Sequence, residues 1–111
     1  MLNSISRVEA RRVAARILEL MIAGKIGLID GSRQLADMRH SLFGHTAKDE
    51  DFDHILAFES RTNHLPIGHE RREWDLAALA DKDREIGATE AAARSELLQA
   101  CRGLLMRFGA A

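Results

Sequence analysis

Apolar residues near the start of the chain recur every three or four positions, which is the period of an α-helix. The stripe consists of Val8, Ala14, Ile17, Leu18 and Met21. Ser6 and Glu9 have the spacing of a capping box at its beginning. Gly24 suits the left-handed backbone that often ends a helix. The pattern predicts a first helix over residues 5–23.

A second apolar repeat follows after a short link. It consists of Leu28, Leu35, Ala36 and Leu42. This repeat predicts a second helix over 28–42, and the shortness of the link predicts an antiparallel hairpin with the first helix. Gly31 weakens the second helix by about 1 kcal/mol relative to alanine, so we expect it to mark a close approach between helices.

A third helix is predicted over residues 50–61, after a loop over 43–48. The anions Asp49, Glu50 and Asp51 suit the positive end of a helix dipole. Phe52, Ile55, Leu56 and Glu59 then share one helix face.

The last element runs from Leu76 to Phe108 without a proline, and Asp75 suits its N-cap. Its near-heptad seam consists of Leu76, Leu79, Ile86, Ala93, Leu97, Cys101, Leu104 and Phe108. An unbroken helix of this length would measure roughly 50 Å. Its second half is apolar enough to enter a core. Its first half is polar, which predicts that it projects or is covered by residues 60–74. The pattern leaves open whether the helix continues through Gly87.

Together these elements predict an all-α fold, an antiparallel bundle of about four helices with a long C-terminal helix. The 111 residues suit a single domain spanning 1–111. The lone cysteine, Cys101, excludes an internal disulfide, and its place on an apolar face predicts a small buried residue and not a reactive thiol.

Charge is unevenly distributed along the chain although the net charge is only −1. Residues 1–27 hold five basic against two acidic side chains, whereas residues 45–59 hold one against five and residues 70–96 hold five against eight. The small net charge and the acidic stretches argue against a nucleic-acid partner. With no apolar leader and no apolar run long enough to cross a bilayer, a membrane partner is not expected, and the protein is predicted to be cytoplasmic.

Motifs for metal, phosphate or nucleophilic chemistry are absent: no HExxH, CxxC, GxSxG or GxxxxGK[ST] pattern occurs. The five histidines fall within thirty residues, close to the acidic run 49–53. They are His40, His45, His54, His64 and His69. Glu50 and His54 have i,i+4 spacing, but no spacing is diagnostic of a metal site. We therefore predict no metal and no cofactor. A small metal-dependent or acid–base enzyme using the His/carboxylate cluster of residues 40–69 stays as the alternative.

Residues 60–74 interrupt the helical pattern around Pro66, the only proline. Leu65, Ile67 and Trp74 are the apolar anchors of this stretch, and we expect Trp74 to cap the core where the last helix begins. The polar side chains around them have no structural task that the sequence reveals. They are Arg61, Asn63, His64, His69, Arg71 and Arg72. Irregular segments on rigid scaffolds often carry recognition.

The chain resembles a small family of uncharacterised bacterial all-helical proteins with the pattern S-x-T-x-x-L-P-x-G-x-x-R-x-x-W, followed by a K-D-x-E-I helix. The matching residues are Ser60, Thr62, Leu65, Pro66, Gly68, Arg71, Trp74, Lys82, Asp83, Glu85 and Ile86. Arg61 departs from the acidic residue expected there. The resemblance covers most of the chain and implies a helical fold, but no established function.

These observations favour a non-enzymatic protein-binding module, specifically an immunity-type inhibitor that masks a bacterial toxin through an acidic face. Toxins that cut nucleic acid are basic, so an acidic partner would associate with them rapidly. The expected contact residues are Asp49, Glu50, Asp51, Asp53, Glu59, His64, His69 and Arg72. A further alternative is a homodimer that pairs through the exposed seam of the last helix.

Overall fold

Six helical segments make up the fold in the computed structural model, which describes residues 6–44 and 48–109. The segments are α1 (Arg7–Ile22), α2 (Leu28–Asp37), α3 (Arg39–Phe43), α4 (Glu50–Thr62), a 3₁₀ helix (Gly68–Glu73) and α5 (Leu76–Gly109). No strand occurs in the described ranges. The predicted all-α fold with a long C-terminal helix is confirmed.

Helices α1, α2, α4 and α5 pack side by side as a four-helix bundle. Helix α1 packs on α2, α2 on α4, α4 on α5, and α5 on α1. Helices α4 and α5 are antiparallel, because Asp49 before α4 meets Arg107 near the end of α5, and His64 after α4 meets Glu85 in its first half. The interior is mainly aliphatic, and Phe52 and Phe58 of α4 complete it.

Three helices begin directly after a residue whose side chain caps them. The Ser6 hydroxyl accepts a hydrogen bond from the Glu9 N–H at 3.1 Å, and the Asp49 carboxylate accepts from the Phe52 N–H at 3.0 Å. Asp75 does the same for the Ala78 N–H at 2.8 Å. Each bond satisfies a backbone donor that has no partner within its helix. The predicted caps at Ser6, Asp49 and Asp75 are therefore confirmed, and the first helix begins at Arg7, two residues later than predicted.

Helix α2 has no such residue, because Gly27 precedes it. A carboxylate from another helix supplies the cap: Glu90 of α5 accepts from the Ile29 N–H at 2.9 Å. The start of α2 thus depends on a contact across the bundle.

The predicted second helix is wrong at its end. Instead of continuing to residue 42, α2 stops at Asp37, and α3 begins at Arg39. The Met38 N–H bonds to the carbonyl of Leu35, three residues back, which tightens the last turn and redirects the chain. Neither proline nor glycine marks this break in the sequence.

Gly31 lies where α1 and α2 approach each other. A Cβ atom at this position would lie 2.5 Å from Met21 Cγ and Sδ, too close for real atoms. The expected close approach at Gly31 is confirmed.

Helix α5 continues without a break through Gly87, and its 34 residues extend about 50 Å at 1.5 Å per residue. The buried residues of α5, among them Leu97, Cys101 and Leu104, lie in its second half. In the first half, Ile86 packs partly against the core, whereas Leu76 is 85% exposed. The exposure of Leu76 agrees with the prediction that the first half of α5 partly projects. Burial raises the pKa of the Cys101 thiol to about 11, which agrees with the predicted small buried residue.

None of the helices in residues 6–44 and 48–109 has the combined length and apolar character that crossing a membrane requires.

Candidate binding groove between helices α4 and α5

The connecting segment, residues 63–75, is fixed to the bundle by Arg33 of α2. Its guanidinium donates to the carbonyls of Thr62 at 2.7 Å and Leu65 at 2.6 Å, where α4 ends, and binds the Glu70 carboxylate at 2.8 Å. Glu70 also accepts from the Ile67 N–H at 2.8 Å. Both contacts lower the pKa of Glu70, and the hydrogen bond from the Ile67 N–H has a larger effect than the contact with Arg33.

Two further side-chain contacts fasten the connecting segment to the first half of α5. Arg71 donates both terminal nitrogens to Asp83, at 2.8 and 3.0 Å, and this pairing lowers the pKa of Asp83. His64 lies 2.9 Å from Glu85, and Lys82 contacts the same carboxylate at 3.3 Å. Both contacts lower the pKa of Glu85, and the effect of His64 is the larger. Arg71 and His64 therefore have a structural task that the sequence did not reveal.

The apolar anchors of the connecting segment divide into two groups. Leu65 is buried and Ile67 packs partly against the core, as expected. Trp74 is 36% exposed and lies beside Lys82, whose Nζ is 5.9 Å from its ring centroid. The prediction that Trp74 caps the core is wrong, because the first turns of α5 extend beyond the apolar interior.

Two members of the predicted acidic face are engaged inside the molecule. Arg107 of α5 binds Asp49 at 2.6 Å and Asp51 at 3.0 Å, and the Asp49 side chain is only 12% exposed. Asp51 lies so close to α5 that a Cβ at Gly103 would collide with its carboxylate. These two carboxylates join the start of α4 to the end of α5.

The other predicted contact residues are spread over the surface. Glu50 and Asp53 are exposed on α4, and Glu59 is half-buried. His69 and Arg72 are exposed on the 3₁₀ helix. The structure therefore brings Glu50 and Asp53 together and places His69 and Arg72 on a different element.

The histidines do not converge either. His40 lies on α3, His54 on α4, His64 beside Glu85 and His69 on the 3₁₀ helix, while His45 lies outside the described residues. Within residues 6–44 and 48–109, no three His, Cys, Asp or Glu side chains come together as ligands for one metal ion.

An open groove of about 450 Å³ lies between α4 and α5. Phe58 and Leu97, both buried, form its floor. Small residues form most of its walls, namely Ala57, Ala88, Thr89, Ala92 and Ala93. Because these side chains are short, another backbone can approach the groove closely.

Charged side chains line the rim of this groove, with opposite signs at its two ends. Glu96 of α5 lies at one end, beside His54, and a smaller depression lined by Glu50 and Asp53 of α4 adjoins the groove there. Arg61 lies at the other end, with its guanidinium 5.6 Å from the Phe58 ring centroid. None of these four charges forms an ion pair with another described residue.

Sequence reasoning missed the α5 side of the groove, including Glu96. The available signal was the series Ala88, Ala92 and Glu96, which repeats every four residues outside the apolar seam. It was informative only together with the matching series Asp53, Ala57 and Arg61 on α4.

No protein-family model, curated protein or solved structure matches the chain. The resemblance noted from the sequence thus stays a prediction, and the function has to be argued from the groove.

Proposed function

We propose that the protein is a non-enzymatic protein-binding module and that the groove between α4 and α5 receives its partner. The observation that carries this proposal is an open groove with an apolar floor and unpaired charges on its rim. Elsewhere, acidic side chains such as Asp49, Glu70 and Asp83 already hold basic side chains of the same chain.

The shape of the groove suits a helical segment of a partner. Together with the adjoining depression, its α4 side runs from Glu50 to Arg61, about 17 Å or three helical turns. Helix-in-groove recognition places apolar side chains at i, i+3, i+4 and i+7 on such a floor. The apolar contacts then supply most of the affinity, and the rim charges select the partner and its orientation.

The more specific proposal is an immunity-type inhibitor of a bacterial toxin. The exposed carboxylates of Glu50, Asp53 and Glu96 would attract a basic partner and speed its association. This acidic surface is smaller than the one expected from the sequence, because Asp49 and Asp51 form ion pairs with Arg107. No group of three His, Cys, Asp or Glu side chains within residues 6–44 and 48–109 supports the metal-dependent form of the alternative.

Co-purification of two matched variants tests the groove. Ala92 lines it, whereas its neighbour Ala91 is also exposed but does not line it. Tagged wild-type protein, Ala92→Arg and Ala91→Arg would each be expressed in the native host, and captured proteins would be quantified by mass spectrometry. We expect a stoichiometric partner with wild type and with Ala91→Arg, and its loss with Ala92→Arg.

Equal capture by both variants would show that the partner binds elsewhere. If the wild type captures neither another protein nor untagged copies of its own chain, the proposal is wrong.

A further inference from the structure

We propose that the free protein places a second copy of itself in this groove, forming an antiparallel dimer about a two-fold axis near Ala57. This inference rests on the proposed function, since it uses the same docking surface and names one occupant. It differs from the seam-to-seam dimer considered from the sequence, because α4 and not the first half of α5 lies at its centre.

The arrangement of residues along α4 is symmetric about Ala57. Asp53 lies four residues before it and Arg61 four residues after it, and all three are exposed. Ala57 and Arg61 line the groove, and Asp53 lines the depression that adjoins it at Ala57. Residues four apart occupy the same helix face, and four residues correspond to about 6 Å along the axis. When two α4 helices cross antiparallel at Ala57, Asp53 of each copy faces Arg61 of the other.

The local chemistry agrees with such a crossing. Ala57 is small, as are Ala88 and Ala92 on the α5 side, so two helices can approach at this point. The charges that would meet, Asp53 and Arg61, form no ion pair with another described residue.

Charge complementarity favours a second copy over a purely basic partner segment. A basic segment would satisfy Glu50, Asp53 and Glu96 but would meet Arg61 with like charge. A second copy satisfies both ends of the groove at once, since a two-fold interface presents the same patch from both sides.

A charge-swap series tests the dimer by sedimentation analysis of the purified full chain over a range of concentrations. We expect concentration-dependent dimers for the wild type. Asp53→Arg and Arg61→Glu each bring like charges together twice, so each should raise the dimer dissociation constant at least about ten-fold. An equimolar mixture of these two variants should dimerise again. In the mixed dimer, the two substituted side chains face each other with opposite charge, while the unchanged Arg61 and Asp53 pair as in the wild type.

Two controls separate this geometry from general charge effects. The double variant Asp53→Arg/Arg61→Glu keeps the net charge of the wild type and should dimerise. Arg12→Glu has the same charge change as Arg61→Glu, but on an exposed position of α1 outside the groove, and should leave the dissociation constant unchanged. Added salt should weaken the wild-type dimer, since its charge pairs are exposed.

A wild-type chain that stays monomeric at every concentration, or a dimer that both single variants leave intact, would overturn the second-copy inference. Neither result would refute the groove as a docking surface. That claim is tested separately, by whether Ala91→Arg still captures a different protein and Ala92→Arg does not. Loss of dimerisation in the single variants without recovery in their mixture would also contradict the proposed pairing.

Discussion

Two glycines within helices have opposite surroundings. Gly31 of α2 faces the buried side chain of Met21, so no Cβ atom fits there. Gly87 of α5 is exposed and has nothing within 4 Å of the position where a Cβ would lie. The same residue type thus allows close packing at one position and merely weakens the helix at the other.

Alanine substitution should therefore change stability in opposite directions at these two glycines. We expect Gly31→Ala to lower the free energy of unfolding by about 1–3 kcal/mol, because the added methyl overpacks the contact with Met21. Gly87→Ala should raise it by about 0.5–1 kcal/mol through better helix propensity. Urea denaturation of both variants measures the difference, and an equal stabilisation by both would contradict the packing described at Gly31.

At the scale of whole elements, carboxylate contacts hold the connecting segment in place. Glu70 joins it to α2, whereas Asp83 and Glu85 join it to α5. All three carboxyl groups have a lowered pKa in the folded protein. A group whose folded pKa is lowered stabilises the fold above its unfolded pKa, and that contribution disappears as the pH falls through the folded pKa.

Acid should therefore release the connecting segment below the ordinary carboxyl pKa of 4.5 for glutamate and 3.8 for aspartate. Trp74, the only tryptophan, reports this release through its fluorescence because it lies beside Lys82. Asp83→Asn removes one of the contacts, so its release should occur at a higher pH than in the wild type. An acid transition that is identical in both proteins would contradict the role assigned to the Arg71–Asp83 pair.

Across the whole molecule, features set by neighbouring residues were predictable and those set by distant ones were not. Ser6, Asp49 and Asp75 cap the helices that follow them because the capping bond spans only three residues. By contrast, Arg107 binds Asp49 across 58 positions of sequence, and Glu90 caps α2 across 61. No periodicity indicates such pairs.

The same distinction explains the candidate site. Sequence reasoning identified the acidic start of α4, since the charges are consecutive. It could not tell that Arg107 occupies Asp49 and Asp51 while Glu50 and Asp53 stay unpaired. Nor could it place Ala92 and Glu96 of α5 opposite α4, because that requires the register between the two helices.

Site-specific photo-crosslinking in native cells tests the groove most directly. A photoreactive benzoylphenylalanine would replace Ala92 in one variant and Ala91 in the other, and adducts would be identified by mass spectrometry after irradiation. We predict an adduct at position 92 and none at position 91. A mass of twice the 12.4 kDa chain identifies a second copy as the occupant, and any other mass identifies a different protein. Adducts at neither position, or equally at both, would contradict the claim that the α4–α5 groove is the docking surface.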